Sequence, residues 1–289
     1  MHRVSIWCRG SSRCWHFSQG LQKGLPLKYR SVVASPAYCP APGRARRLLH
    51  IASREADPVM MVTTLYLPSG PGPFPLWVFN HGRNFGNPVH QARSRPDALA
   101  KVLLREGYAV AAPNRRGFAD SGGRHLSHWA NPLSGGLCCA RDIETVVLAM
   151  AGKPYIDASR IIVSGHSYGA LGTLAYGMKP HAGVRALVNF AGGLRGESDQ
   201  GWQEPLRDAF RYYGRRARVR SLWLYADNDS FWPLDYARGL HEAYCEHGAN
   251  AEFVNLGHFK ECAHRYVLDP DGVGFWWPKV AELLREIEA

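Results

Sequence analysis

Ser167 lies in Gly165-His166-Ser167-Tyr168-Gly169, a G-x-S-x-G pentapeptide within the run RIIVSGHSYGALG. A serine hydroxyl attacks a carbonyl carbon only when a neighbouring base takes its proton. Such a hydroxyl is well presented when a strand ends at the first glycine and a helix starts after the serine. Small residues at positions 165 and 169 allow that tight turn. Both flanks fit: Arg160–Ser164 (RIIVS) reads as a strand and Tyr168–Met178 as a helix. The pentapeptide alone is weak in a chain with 30 glycines, and its context carries the weight. The plainer alternative is a Gly/Ser turn with Ser167 as a helix N-cap.

The proton acceptor for such a serine is a histidine oriented by a carboxylate, in the chain order Ser, Asp/Glu, His. The carboxylate is expected just past the predicted strand Ser221–Tyr225, in Ala226-Asp227-Asn228-Asp229-Ser230. Asp229 lies deeper in that loop and is preferred; Asp227, nearer the strand end, is the alternative and could instead brace the turn. The loop after the last predicted strand offers His258 and His264, and one of the two must be an ordinary loop histidine. His166, inside the pentapeptide, is too constrained to face its own serine and is expected to pack beside it. Donors for a developing oxyanion are expected from the Tyr168 N–H and the Arg83 N–H, with Asn84 as the alternative to Arg83. Gly82, in Asn80-His81-Gly82-Arg83-Asn84, lets that loop approach closely.

The elements that must hold these residues alternate along the chain. Val59–Tyr66, Leu76–Asn80, Tyr108–Ala112, Val184–Phe190 and Ala251–Leu256 read as further strands. Asp97–Glu106, Ala140–Ala151, Leu234–His247 and Val280–Ile287 read as helices between or after them. Strands alternating with helices of about ten residues or more imply a mostly parallel sheet flanked by helices, an α/β class. A polar insert, Gly193–Arg218, holds one predicted helix at Glu204–Tyr213 and is expected to form a small cap.

The formal net charge of +11 would suggest an anionic partner, yet its distribution argues otherwise. Residues 1–54 contain ten Arg and Lys and no Asp or Glu, while the rest is close to balanced. Nucleic-acid binding calls for a folded basic face, so no nucleic-acid partner is expected. The expected division is a basic N-terminal extension over 1–54 and a catalytic domain over 55–289. An acid-free, Arg- and Ser-rich extension matches an organellar transit peptide, and equally a mis-set start. The seven cysteines show no CxxC pair and read as reduced thiols, which favours the cytoplasm. No run of 18 apolar residues is present, so no membrane span is expected. Neither His125-x-x-His128 nor Cys262-x-His264 has a third ligand at suitable spacing, so neither a metal nor another cofactor is expected.

FPLWVFNHGR, GYAVAAPNRRGFADSGG, GHSYGA, LWLYADNDSFWP and DGVGFWWPKV together resemble the dienelactone-hydrolase-like branch of the α/β-hydrolases, a branch related to esterases and acyl-peptidases. The resemblance runs from about residue 55 to the C-terminus. It implies Ser167 as nucleophile, Asp229 as acid and His264 as base. Many relatives carry leucine, two prolines, an aromatic and a run ending in Gly-His after the last strand. Here Gly257 and His258 replace the prolines and Ala263 replaces the glycine, which keeps His258 open as the alternative. Enzymes strictly named dienelactone hydrolases use a cysteine nucleophile, so the lactone specificity does not carry over.

The resemblance implies a carboxylic-ester hydrolase acting on a small-molecule substrate, with Trp202, Phe231, Trp232 and Trp129 around the pocket. An acyl-peptide hydrolase or aminopeptidase is the second expectation, disfavoured because no large N-terminal domain gates the site. A non-catalytic ligand-binding protein of the same fold is the third. Arg115 and Arg116 are expected to anchor a loop by ion pairs, with Asp120 as a partner.

Overall fold

Among the described residues the chain forms eight strands: β1 (Arg46–Ala52), β2 (Met60–Tyr66), β3 (Phe74–Asn80), β4 (Ala109–Pro113), β5 (Ile156–His166), β6 (Val184–Phe190), β7 (Ser221–Tyr225) and β8 (Ala251–Asn255). The computed structural model describes residues 46–125, 131–195 and 201–288. Residues 1–45 of the extension, His128 and Trp129 lie outside the described residues.

The strands make one sheet in the order β1-β2-β4-β3-β5-β6-β7-β8. β2 runs antiparallel to both β1 and β4, and every other neighbouring pair is parallel. Trp77, Ile162 and Val188 on the central strands are wholly buried, as a sheet covered on both faces requires. Among the described residues six helices supply the covers: α1 (Asp97–Arg105), α2 (Pro132–Ala151), α3 (Tyr168–Tyr176), α4 (Gln203–Gly214), α5 (Leu234–Cys245) and α6 (Val273–Glu288).

Three elements differ most from the sequence reading. β1 falls inside the expected extension, so the sheet starts before residue 55. It is an edge strand in which only Ile51 is buried, so its apolar signal is thin. α2 starts at Pro132, well before Ala140, because the Asn131 side chain caps it by accepting from the Ser134 N–H at 2.9 Å. α6 starts at Val273 and runs through Pro278, the residue that makes the pattern look broken there.

The described part of the Gly193–Arg218 insert is mainly α4. Its Leu206, Ala209, Phe210 and Tyr213 recur at helical spacing and are buried. Phe210 meets Trp223 edge-on at 5.2 Å, and the Tyr213 hydroxyl donates to the Leu133 carbonyl at 2.8 Å. α4 is thus a member of the helical layer beside α2 and α5. Among the described residues no helix is long and apolar enough to cross a membrane, and Cys138, Cys139, Cys245 and Cys262 are free thiols.

Candidate active site

The parallel register brings the carboxyl ends of β3, β5 and β6 level, with Asn80 beside Gly165 and Gly165 beside Asn189. The chain turns there from β5 into α3 through Ser167, whose φ of 51° is a conformation that L side chains rarely adopt. Such strain costs on the order of 1–3 kcal/mol and persists only when the surroundings impose it. The surroundings here are close. A Cβ at Gly165 would stand 2.3 Å from the Gly169 carbonyl, and one at Gly169 would stand 2.1 Å from the Asn80 oxygen. The Ser167 N–H donates to Phe190 O at 3.0 Å, and its carbonyl accepts from Gly193 N at 3.2 Å.

His264 reaches this turn from a 3-10 segment, Ala263–Leu268, after β8. The Ser167 hydroxyl donates to His264 Nε2 at 3.1 Å, and His264 Nδ1 donates to Asp229 at 2.9 Å to Oδ2 and 3.0 Å to Oδ1. All three side chains are buried. Asp229 Oδ1 also accepts from the N–H groups of Phe231 and Trp232 at 2.8 and 3.1 Å, which fixes its rotamer. The structure therefore brings Ser167, His264 and Asp229 into one hydrogen-bonded line.

The alternatives stand elsewhere. Asp227 accepts from the Asn255 side chain at 2.8 Å, in an exposed bridge between the loops after β7 and β8. His258 is exposed, with its Nε2 3.3 Å from the Asn228 amide nitrogen. Both lie past the ends of their strands, exposed, and neither enters the buried line. Asn228, between the two aspartates, joins the loops: its amide donates to Phe259 O and Lys260 O and accepts from Phe259 N.

Of the two N–H groups expected to bind an oxyanion, that of Tyr168 opens α3 and has no acceptor within the helix. The loop of Arg83 touches the serine: a Cβ at Gly82 would lie 3.2 Å from the Ser167 Cβ. Asn84 N–H, the alternative donor, is engaged by Gln91 Oε1 at 3.3 Å. The Arg83 side chain contacts His125 Nε2 at 2.7 Å.

Of the aromatic residues expected at the pocket, Phe231 stacks on the His264 ring at 4.2 Å and Trp232 lies 6.3 Å from it. Trp202 is buried against Trp232 and Tyr236. Phe85, which the sequence reading did not single out, is exposed and stacks over Phe231 at 6.1 Å.

Two buried histidines flank the site: His166, which was expected to pack beside Ser167, and His81, to which sequence reasoning gave no role. His166 Nε2 donates to the His264 carbonyl at 2.6 Å, so the elbow braces the backbone of the residue facing its serine. Burial, with His264 alongside, lowers the His166 pKa to about 3, and the ring is neutral. His81 is likewise pushed well below the usual histidine range by burial and by Arg115. The arginine expectation needs correction too. Arg116 holds Asp142 and Glu55, Asp120 pairs with Arg93, and Arg115 pairs with no carboxylate among the described residues. The two arginines are adjacent and alternate in direction, so one faces acids and the other the interior.

The sheet order and the turn at Ser167 are those of the α/β-hydrolase fold. A sequence profile of the prolyl oligopeptidase family matches residues 96–184, the stretch that contains Ser167. No curated protein matches the chain by sequence. Dipeptidyl peptidase 4 of Porphyromonas gingivalis aligns with a TM-score of 0.61 and 17% identity, over 83% of this chain and 35% of its own. The chain thus spans about a third of that relative. A dienelactone-hydrolase-like promiscuous phosphotriesterase from metagenomic libraries aligns at 0.60 and 15%, over 84% and 99% of the two chains. An esterase of Pyrococcus furiosus aligns at 0.61 and 15%, over 84% and 92%. At these identities the likeness establishes the fold, and the family match adds support for the serine-hydrolase class.

Proposed function

We propose that this protein is a serine hydrolase that cleaves a carboxylic ester through an acyl-enzyme. Ser167 Oγ attacks the carbonyl carbon as its proton passes to His264 Nε2, and Asp229 holds the imidazole with Nδ1–H inward. The Tyr168 and Arg83 N–H groups receive the oxyanion. Collapse of the tetrahedral species expels the alcohol, which takes the proton from His264. A water then repeats the sequence on the acyl-Ser167 and releases the acid. The observation that carries this reading is the buried Asp229–His264–Ser167 line, ending on a serine in a strained turn.

Phe231 and Phe85 offer an apolar wall beside His264. The Arg195 guanidinium over Phe231, at 5.0 Å, closes that wall with a cation. A small or aromatic ester fits such a surface. The match to the prolyl oligopeptidase family favours a second reading, an acyl-peptide or aminopeptidase activity of the same serine.

Fluorophosphonate labelling tests the common chemistry: the wild type is expected to label and Ser167→Ala to remain blank. An unlabelled wild type would indicate a ligand-binding member of the fold instead. Turnover of a nitrophenyl ester against an aminoacyl anilide separates the two enzyme readings, with the ester expected to be the faster substrate.

A further inference from the structure

Arg115 is an anomaly beside this site. Its side chain is 2% exposed, yet no carboxylate among the described residues pairs with it. Asp142, on the same small cavity, accepts instead from the Arg116 backbone N at 3.0 Å and its Nε at 2.7 Å. Arg115 Nη1 donates to the His81 carbonyl at 2.6 Å, while Nε and Nη2 have no partner. The guanidinium lies between two rings, 5.3 Å from the centroid of Phe118 and 5.0 Å from that of Tyr168. The cavity beside it, of about 20 Å³, has room for roughly one water. Asp142 acts on Arg115 by charge alone, its hydrogen bonds going to Arg116.

Two connections run from Arg115 to the expected oxyanion donors. The first passes through His81, which Arg115 grips twice. The guanidinium holds the His81 carbonyl, and the Arg115 backbone N–H donates to His81 Nε2 at 3.2 Å. His81 Nδ1 in turn donates to the Gly82 carbonyl at 2.6 Å. That carbonyl belongs to the peptide unit whose N–H is that of Arg83. In a trans peptide the C=O and N–H point in opposite directions, so fixing one aims the other. A donor on the carbonyl also polarises the N–H at the far end. A neutral His81 is needed to accept at one ring nitrogen and donate at the other, and its burial beside Arg115 keeps it neutral. The second connection is the Tyr168 ring under the guanidinium, part of the residue whose N–H is the other expected donor.

We infer that Arg115 is a positioning residue of the oxyanion site. Its guanidinium holds His81 by the carbonyl, and the His81 ring in turn aims and polarises the Arg83 N–H toward the negative charge formed on the substrate oxygen in the transition state. The inference rests on the Ser167 reading above. It gives a role to a group that touches neither substrate nor serine.

The test compares wild type with Arg115→Met and Arg115→Lys on a neutral nitrophenyl ester. It also compares inhibition by a trifluoromethyl ketone, which becomes an oxyanion on Ser167, with inhibition by the methyl ketone of the same shape. For Arg115→Met, kcat should fall about 10²-fold, in the range seen for loss of one oxyanion donor. KM and the methyl ketone Ki should stay within about threefold, while the trifluoromethyl ketone Ki rises about 10²-fold. Arg115→Lys, which keeps the charge, should restore about tenfold of that loss. Equal weakening of both ketones, or an unchanged kcat, would overturn the inference and leave a packing role. Should Arg115→Met fail to fold, Arg115→Lys decides alone. A loss of about fivefold or more confined to the trifluoromethyl ketone supports the inference, and a parallel loss or none rejects it. A wild type inert toward both ester and trifluoromethyl ketone removes the Ser167 reading and this inference together. A failing variant removes only the inference.

Discussion

The loops after β7 and β8 each carry the same residue type twice, and the two copies live in different worlds. Asp227 and His258 form an exposed layer, tied to Asn255 and Asn228 by side-chain contacts. Asp229 and His264 form a buried layer beneath it, tied to each other and to Ser167. Asn228 stitches the layers together through the Phe259 and Lys260 backbones, and Ala263 N–H donates to Asn228 O at 3.2 Å. Residue type is therefore no guide to role here. In the low-dielectric layer an imidazole held between a carboxylate and a hydroxyl has one orientation, while in the wet layer water competes for every contact.

The contrast breaks most visibly at the histidines. His264→Ala should lower kcat by about 10⁵-fold or more, the scale of a lost triad base, whereas His258→Ala should stay within about threefold. Steady-state ester turnover measures both, and comparable losses would dissolve the two-layer picture. Next come the aspartates. Asp229→Asn should cost about 10⁴-fold in kcat by reversing the ring's tautomer, and Asp227→Asn should spare turnover. The reverse ranking would transfer the orienting role to the outer layer. Asn228→Ala should fall between, with a kcat loss of about tenfold at little change in KM, because it loosens the seat of His264 without touching it.

A further contrast concerns acid. His166 titrates at about 3 in the folded protein against 6.5 when unfolded, so the unfolded chain binds its proton first as pH falls. The stability it confers is complete above pH 6.5 and drains as pH drops toward 3, at about 1.4 kcal/mol per pH unit. His81, also held neutral, adds to the same slope. Denaturant midpoints of His166→Gln between pH 6.5 and 4 should show a shallower acid slope than the wild type. An unchanged slope would mean that the His166 ring does not govern acid stability. The smallest effect is expected in the outer layer, where losing the Asp227–Asn255 contact should cost under about 1 kcal/mol by the same midpoints.

Much of this was readable from the chain itself. Gly165, Ser167 and Gly169 between an apolar strand and a helix define the turn, because local backbone geometry admits only small residues there. The alternation of β-branched runs with amphipathic stretches defines the α/β class, since burial on both faces or on one leaves different periodicities. Strand β1 escaped because an edge strand buries little, and the start of α2 escaped because Pro132, Gly135 and Gly136 look like a loop. The sequence ranked Asp229 over Asp227 and, through the resemblance, His264 over His258 without deciding either choice, and it left Arg115 and Arg116 alike. Each pair has the same chemistry and nearly the same position along the chain. Only the through-space arrangement decides which member leaves water and finds a partner more than thirty residues away, and a linear pattern has no term for that distance.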